Sequence, residues 1–546
     1  MFSRGGGLAV PTVSIDPERE REPPLPPTPV QFPNYHTSIA LETSSESKLS
    51  PNTLYHLLSR VKSPQDISDS FLKALNVTII PDVEISDLLP QDALKAYPPF
   101  QSNGDKSPTQ EGTGTRLGNG YRAPDQQKYN VLKEELSFDN TNAFRSLARL
   151  KPLPGHEEIK ITHARKLWVG LDHLAQYWDC SLDQFIERTS DTVYENGETS
   201  VQMDIDKELA TSPDVRKPAS GPPKPENSTK YKGRRIGTGR EMPEYVREDV
   251  LRGFLEMIAW SFGCQIKSPT KPPRLSVKGL LFPVRHNFVI ARIPEDRGEA
   301  RKNILEGPVL FAQCRGETAF RDESGNPLNG HVDICDILRE VAGMLLLAQE
   351  RAREKETEVK PGQGKWWAAK PRWGGALDND VPPSYPSTAA EATGKKFDGK
   401  VDADLSTDQR SRHKRKQPLV SRRTGLTVTR MTKVEKWRIV QPGPGLWDPK
   451  MKYMRIGAGT DSSFDDIFMI SSLNHHFSIV HIRVHSNYLE WLSTGRTEFP
   501  DDDTDTSEQP WHRLVVRRTR WFDFLNVKDR VDGFDGLWAL FTWLLR

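Results

Sequence analysis

The sequence has little cysteine. Four residues, Cys180, Cys264, Cys314 and Cys335, are spread over a chain of 546, and none forms a CxxC pair. A disulfide scaffold needs more cysteines in fewer residues, so buried thiols in a reducing compartment are expected. Apolar residues are also scarce. They make up 36% of the chain beside 42 prolines, too few for a protein folded throughout. Net charge is nearly absent: 76 basic and 74 acidic side chains leave +2. That balance excludes a protein drawn as a whole onto nucleic acid or an anionic membrane, and leaves only local patches. No apolar run is long enough to span a bilayer; the best stretch, Leu537 to Leu545, is too short. Met1 to Val13 lacks the apolar core of a signal peptide. Nucleus or cytoplasm is the expected location, with no membrane partner.

The common catalytic signatures are missing too. There is no G-x-S-x-G elbow, H-E-x-x-H pair, kinase set or Rossmann fingerprint. Nothing names a reaction, and the cofactor is unknown.

What is present is unevenly distributed. Residues 1–48 are rich in Pro, Glu and Ser and read as a disordered tail, with Glu22 to Pro33 of polyproline character that a proline-binding domain could recognise. Residues 49–99 carry two short helices, each opened by Ser-Pro (Ser50-Pro51 and Ser63-Pro64), and a short strand or helical turn within Val77 to Leu89. Residues 100–126 read as a loop. An α+β core is expected over 127–352, with a polar linker at 190–230. Thr162 is positioned to cap a helix through Trp178, and Ser181 to Gln184 has the pattern of a capping box.

The clearest signals lie between Glu241 and Arg351. Val246, Val250, Phe254 and Ile258 form one helical stripe, and Ile334, Ile337, Leu338, Val341 and Leu345 form another. Between them come two β-rich runs, Leu275 to Phe282 and Val284 to Ile293, then a charged helix and a short strand, Val309 to Cys314. Residues 353–431 read as a disordered basic linker with a Trp-rich island at Lys365 to Trp373. Residues 432–546 hold strand candidates from Val434 onward and a terminal apolar helix, expected to pack on the core. The fold expected is α+β: a small mixed sheet flanked by long helices, with long disordered insertions.

Three constellations carry candidate chemistry. The first is a histidine cluster. His475, His476, His481 and His485 lie near Asp461, Asp465 and Asp466, and these are zinc or iron ligand types. Alternation places His481, Arg483 and His485 on one strand face, where Arg483 would repel a cation. A polar outward face is the simpler reading, so no metal site is assigned and His481 and His485 stay as candidates. The second is a basic, aromatic surface for nucleic acid, made of Arg483, Arg517, Arg518, Arg520 and Trp521. The acidic run Asp501 to Asp505 could neutralise it.

The third is an order of elements similar to the PD-(D/E)xK nuclease core. Glu256 and Asp296 stand as the acids, and Gln313-Cys-Arg315 takes the place of E-x-K. A neutral Gln313 and a permanently protonated Arg315 imply a degenerate or binding-only relative. Two basic segments remain. Arg410 to Arg423 resembles a nuclear-import signal, and Lys230 to Arg240 is a glycine-containing helix entry without the GK[ST] of a phosphate loop.

The phrases GREMPEYVREDVLRGF, EGPVLFAQCRGET, REVAGMLLLAQERARE and GLWDP followed by FDDIFMISSLNHH resemble a group of uncharacterised proteins from filamentous fungi. The resemblance implies no activity, cofactor or site residue. The leading functional expectation is a non-catalytic intracellular interaction protein with protein partners bound through its disordered segments. The alternatives are a nucleic-acid-binding protein with a degenerate nuclease-like core, and a metal-dependent enzyme using the histidine cluster. The sequence leans against an enzyme.

Overall fold

The computed structural model describes residues 15–35, 51–89, 117–186, 230–353, 452–499 and 510–545, apart from breaks at 62, 118–119, 121, 269–272, 285–286, 303, 323–325, 327–330 and 458–462. In chain order the first elements are α1 (Pro51–Arg60), α2 (Asp69–Ala74), β1 (Val77–Ile80), α3 (Ile85–Leu88), α4 (Gln126–Leu136), α5 (Asn140–Leu147), α6 (Arg165–Trp178), β2 (Gln184–Ile186) and β3 (Lys230–Lys232). The central part adds α7 (Glu244–Ser261), β4 (Cys264–Lys267), β5 (Arg274–Val277), β6 (Leu280–Pro283), β7 (Phe288–Arg292), α8 (Arg297–Arg301), β8 (Ile304–Arg315) and α9 (His331–Ala352). The last elements are β9 (Lys452–Met454), β10 (Phe464–Leu473), β11 (His476–His485), α10 (Ser486–Thr494), β12 (Leu514–Arg518), β13 (Phe522–Asp523) and α11 (Val527–Leu544).

Nine of the strands form one mixed sheet of order β1-β12-β11-β10-β8-β7-β4, with β13 on β11 and β9 on β8. β10 and β11 make a ten-residue antiparallel hairpin, and β10 runs parallel to β8. The fold is therefore α+β, but its sheet is larger than the small one expected. The C-terminal strands β9 to β13 join β1, β4, β7 and β8 in one sheet, which accounts for its size.

Helices cover both faces. On one face α4, α5, α6, α7 and α11 enclose a core that includes Trp168, Leu251, Phe254, Phe477 and Trp538. On the other, α1, α2, α9 and α10 with the β5–β6 hairpin enclose Leu58, Phe71, Leu338, Leu345, Val480 and Trp491. Alternation along β11 sends Val480, Ile482 and Val484 to the second core and Phe477 and Ile479 to the first, as period two requires. Where α6 crosses α7, glycines let the backbones meet. A Cβ on Gly253 would lie 2.8 Å from Leu167 N, and one on Gly170 would lie 3.1 Å from Val250 N.

Several expectations need correction. In the supposed disordered tail, a turn at Asp16–Arg19 leads into residues 20–35, which run extended along the core. The short strand expected within Val77 to Leu89 is β1, and it pairs in parallel with β12 from Val77↔Leu514 to Ile80↔Arg517. Thr162 does not cap α6; the N-cap is Ala164, with no side-chain bond. The exposed N–H groups are instead met by Glu135 of α4, which accepts from Thr162 N at 2.9 Å, His163 N at 3.0 Å and Ala164 N at 2.7 Å. Burial opposes ionisation of Glu135, but these bonds and the one from Thr162 Oγ1 win, holding the carboxyl below its usual range.

Ser181 to Gln184 opens no helix. Gln184–Ile186 pairs with Lys230–Lys232, so the ladder prevails over the local capping pattern. The strand expected at Val434 to Val440, the Trp-rich island, the Arg410 to Arg423 segment and the acidic run Asp501 to Asp505 lie outside the described residues. Cys264, Cys314 and Cys335 are buried and Cys180 is exposed; none is in a disulfide. Burial pushes the thiols of Cys264 and Cys314 up to about 12. Among the described residues no helix is long and apolar enough to cross a membrane.

Candidate functional site

The chemistry-bearing residues concentrate where the C-terminal end of β8 meets the first turns of α9. β8 sends Gln313 and Arg315 to the second face. α9 offers Asp336, Arg339 and Glu340, at the i, i+3 and i+4 spacing that puts three side chains on one stripe. Ser471 of β10 and Arg518 of β12 reach the same point across the sheet. All but Arg339 are buried.

Glu340 is the centre of the group. It accepts from Arg315 Nη1 and Nη2, each at 3.0 Å, from Arg518 Nη1 at 3.0 Å, and from the Ser471 hydroxyl. Burial pushes its pKa up, but the two guanidiniums and Ser471 outweigh this and hold the carboxyl below its usual range. Asp336 is placed differently. Arg315 Nε lies 3.0 Å from its Oδ1, yet neither carboxylate oxygen receives a hydrogen bond among the described residues. Burial dominates there, and Glu340 and Glu317 add repulsion, so Asp336 is pushed up to about 7 despite Arg315. Arg339 pairs with Glu317, and Gln313 Nε2 donates to Arg339 O at 3.0 Å. Two ionised carboxylates, Glu340 and Glu317, and the raised Asp336 therefore face three guanidiniums.

The N-terminal segment closes over this group. Tyr35 is buried beneath the Arg518 guanidinium, which lies 4.1 Å from its ring centroid, and burial raises the phenol pKa well above its usual value. Three residues earlier, Phe32 stacks on Trp521 with centroids 5.1 Å apart and meets His476 edge-on at 4.9 Å. An extended proline-rich chain has about three residues per turn, which brings Phe32 and Tyr35 to one side.

The rest of the segment is tied by polar bonds. Arg21 and Tyr231 exchange two backbone hydrogen bonds of 2.9 and 3.0 Å. Leu25 O accepts from Arg235 Nη1 at 3.1 Å, and Thr28 Oγ1 accepts from Arg240 N at 3.2 Å. Gln31 Oε1 accepts from Phe320 N and Arg321 N, both at 2.8 Å, and Asn34 N donates to Asp333 Oδ1 at 2.9 Å. Pro23, Pro26, Pro27 and Pro29 stay exposed, Pro24 is half-buried and Pro33, between the two aromatic anchors, is buried.

The residues singled out from sequence fall into different places. Glu256 lies on α7, across the sheet from Gln313 and Arg315, paired with Lys166 and with Arg252 at 2.7 Å. Asp296 is exposed and caps α8 through Gly298 N at 2.8 Å. Only Gln313 and Arg315 belong to the cluster, so the convergence a nuclease-like centre needs is absent among these four.

His481 and His485 do share a strand face. That face is buried rather than outward, because the Phe468 and Phe464 rings pack against the imidazoles. Their Cα atoms are about 13 Å apart along the strand, too far for one metal ion. His481 bonds Asp466 at 2.8 Å, and His485 Nδ1 accepts from Asn487 N at 3.0 Å at the start of α10. Asp465 is taken by Arg351, at 2.7 and 3.0 Å, and Asp461 lies outside the described residues.

The five nucleic-acid candidates also separate. Arg518 is buried against Glu340, and Trp521 is covered by Phe32. Arg520 pairs with Asp529 at 2.7 Å and Asp532 at 3.1 Å. Arg517 and Arg483 lie on the opposite sheet face from Arg518, with Arg517 exposed and Arg483 over the Phe464 ring. The glycine-containing entry at Lys230 to Arg240 is ordered by Arg234–Asp172 and Arg235–Asp183 pairs and by a Thr238–Glu241 capping box. Sequence reasoning missed Asp336, Ser471 and Tyr35, and noted Glu340 only as a residue of the helix that follows Gln313 and Arg315. The available signal was a pair of carboxylates four residues apart inside the apolar pattern of α9. No protein-family model matches the chain, and no curated protein or solved structure is similar enough to count as a match.

Proposed function

We propose that this protein is a non-catalytic interaction module that binds an extended, proline-rich peptide of a protein partner, and that residues 17–35 are its own occupant of that surface. The observation that carries this is the mode of attachment. The segment adds to β3 through one antiparallel bridge, crosses the 233–241 and 316–322 loops by bonds to its main chain and polar side chains, and ends on two aromatic anchors. Strand addition with anchored side chains is how folded domains take extended peptides. The ionic cluster fits a supporting role, since its charged groups pair with one another and Tyr35 lies over it.

A peptide with the sequence of residues 17–37, labelled and added in trans, tests the reading by fluorescence anisotropy. A tethered occupant has an effective concentration of about millimolar, so the intact chain should bind the peptide weakly. A Phe32→Ala, Tyr35→Ala chain, checked for native circular dichroism, should bind it saturably. A folded variant that takes up no peptide would refute the proposal.

A further inference from the structure

A second constellation lies where the β10–β11 hairpin turns. The geometry points to a divalent-cation site of zinc type formed by His475, His476 and Asp523. One ligand atom from each residue lies within 4.8 Å of the others. Two imidazoles and a carboxylate are a donor set suited to Zn²⁺ or Fe²⁺, with one or more coordination positions left for water.

The fold brings the three together in a way that spacing alone does not show. His475 and His476 are consecutive, and alternation would send them to opposite faces. The turn prevents this: Asn474 takes a φ of +54°, and the two rings close to 4.1 Å between centroids. Asp523 is supplied from β13, in direct register with His476. Phe524 N donates to His475 O at 2.9 Å and fixes the two chains against each other.

The second observation is an unmet bonding demand. His475 is 5% exposed, and its Nδ1 receives and gives no hydrogen bond among the described residues; the same holds for His476 Nδ1. A buried ring nitrogen without a partner is costly unless something outside the protein fills the role. Asp523 is oriented by its Oδ1, which accepts from Leu525 N at 2.8 Å. Trp178, 4.4 Å from His475 between centroids, walls one side, and Phe32 covers His476. This set is distinct from His481 and His485, which are bonded elsewhere.

The test uses the full chain freed of metal by a chelator, then titrated with Zn²⁺ by calorimetry and with Co²⁺ by visible absorption. One ion per chain should bind, with a Co²⁺ spectrum of low-coordinate type. His476→Gln and Asp523→Asn each alter a partly exposed residue and should weaken binding by more than the roughly 10- to 100-fold typical of an outer-shell partner. His481→Gln should leave affinity unchanged. Failure of the intact chain to bind either ion would overturn the proposal. So would binding that survives both His476→Gln and Asp523→Asn in folded protein.

Discussion

Glu340→Gln isolates the electrostatics of the buried cluster, because glutamine keeps the volume and removes the charge. In the native protein Glu340 is the carboxylate shared by Arg315 and Arg518. Removing one side of a buried pair costs about 3–5 kcal/mol, since the partner charge stays buried. One response of the site opposes this. Glu340 helps to raise the pKa of Asp336, so its neutralisation lets Asp336 ionise and serve Arg315. Arg518 gains nothing comparable, because among the described residues its ion pair is with Glu340 alone. The low end of the range, about 3 kcal/mol, is therefore expected. Urea unfolding followed by tryptophan fluorescence, compared at unchanged m-value, measures it. A loss under about 1 kcal/mol, the scale of an exposed pair, would refute the view that Glu340 holds two desolvated guanidiniums.

Two further outcomes follow from the same structure. Asp336 has a folded pKa of about 7 against an ordinary 3.8, so between those values the native state holds a proton that the unfolded chain has released. Stability from this group is present at acid pH and is lost as pH rises through about 7; Asp336→Asn should remove that fall in denaturation midpoints, and an unchanged profile would contradict it. Gly253→Ala places a methyl 2.8 Å from Leu167 N, so α6 and α7 must separate; thermal denaturation should show a loss of about 1–3 kcal/mol, and a neutral result would contradict the close crossing.

Local periodicity made much of the fold legible. The stripes of α7 and α9, the alternation of β11 and the apolar α11 all follow from residues that are neighbours in sequence. What was not legible depends on distant partners. β1 joins the sheet through β12, more than four hundred residues away, and nothing in Val77–Ile80 announces that edge. The 15–35 segment has the composition of a disordered tail, and only the surface waiting at Tyr231, Arg321 and Trp521 gives it a place. Arg518 could be read as a solvated charge and Arg315 as a degenerate nuclease position, because their shared carboxylate sits on a helix whose docking the sequence does not reveal. The histidines were legible as a group, but the turn at Asn474 selects which of them converge.

The central claim is that residues 17–35 are a displaceable ligand of their own core, and amide hydrogen exchange tests it most directly. In the intact chain the Arg21 and Asn34 amides are bonded to Tyr231 O and Asp333 Oδ1, while Phe320 N and Arg321 N are bonded to Gln31. With saturating 17–37 peptide in trans, Arg21 and Asn34 should lose protection as the tethered segment leaves. Phe320 and Arg321 should keep theirs, because the incoming peptide supplies the same glutamine. Unchanged exchange at Arg21 and Asn34 under saturating peptide would show that the segment is a fixed part of the fold, and would contradict the account.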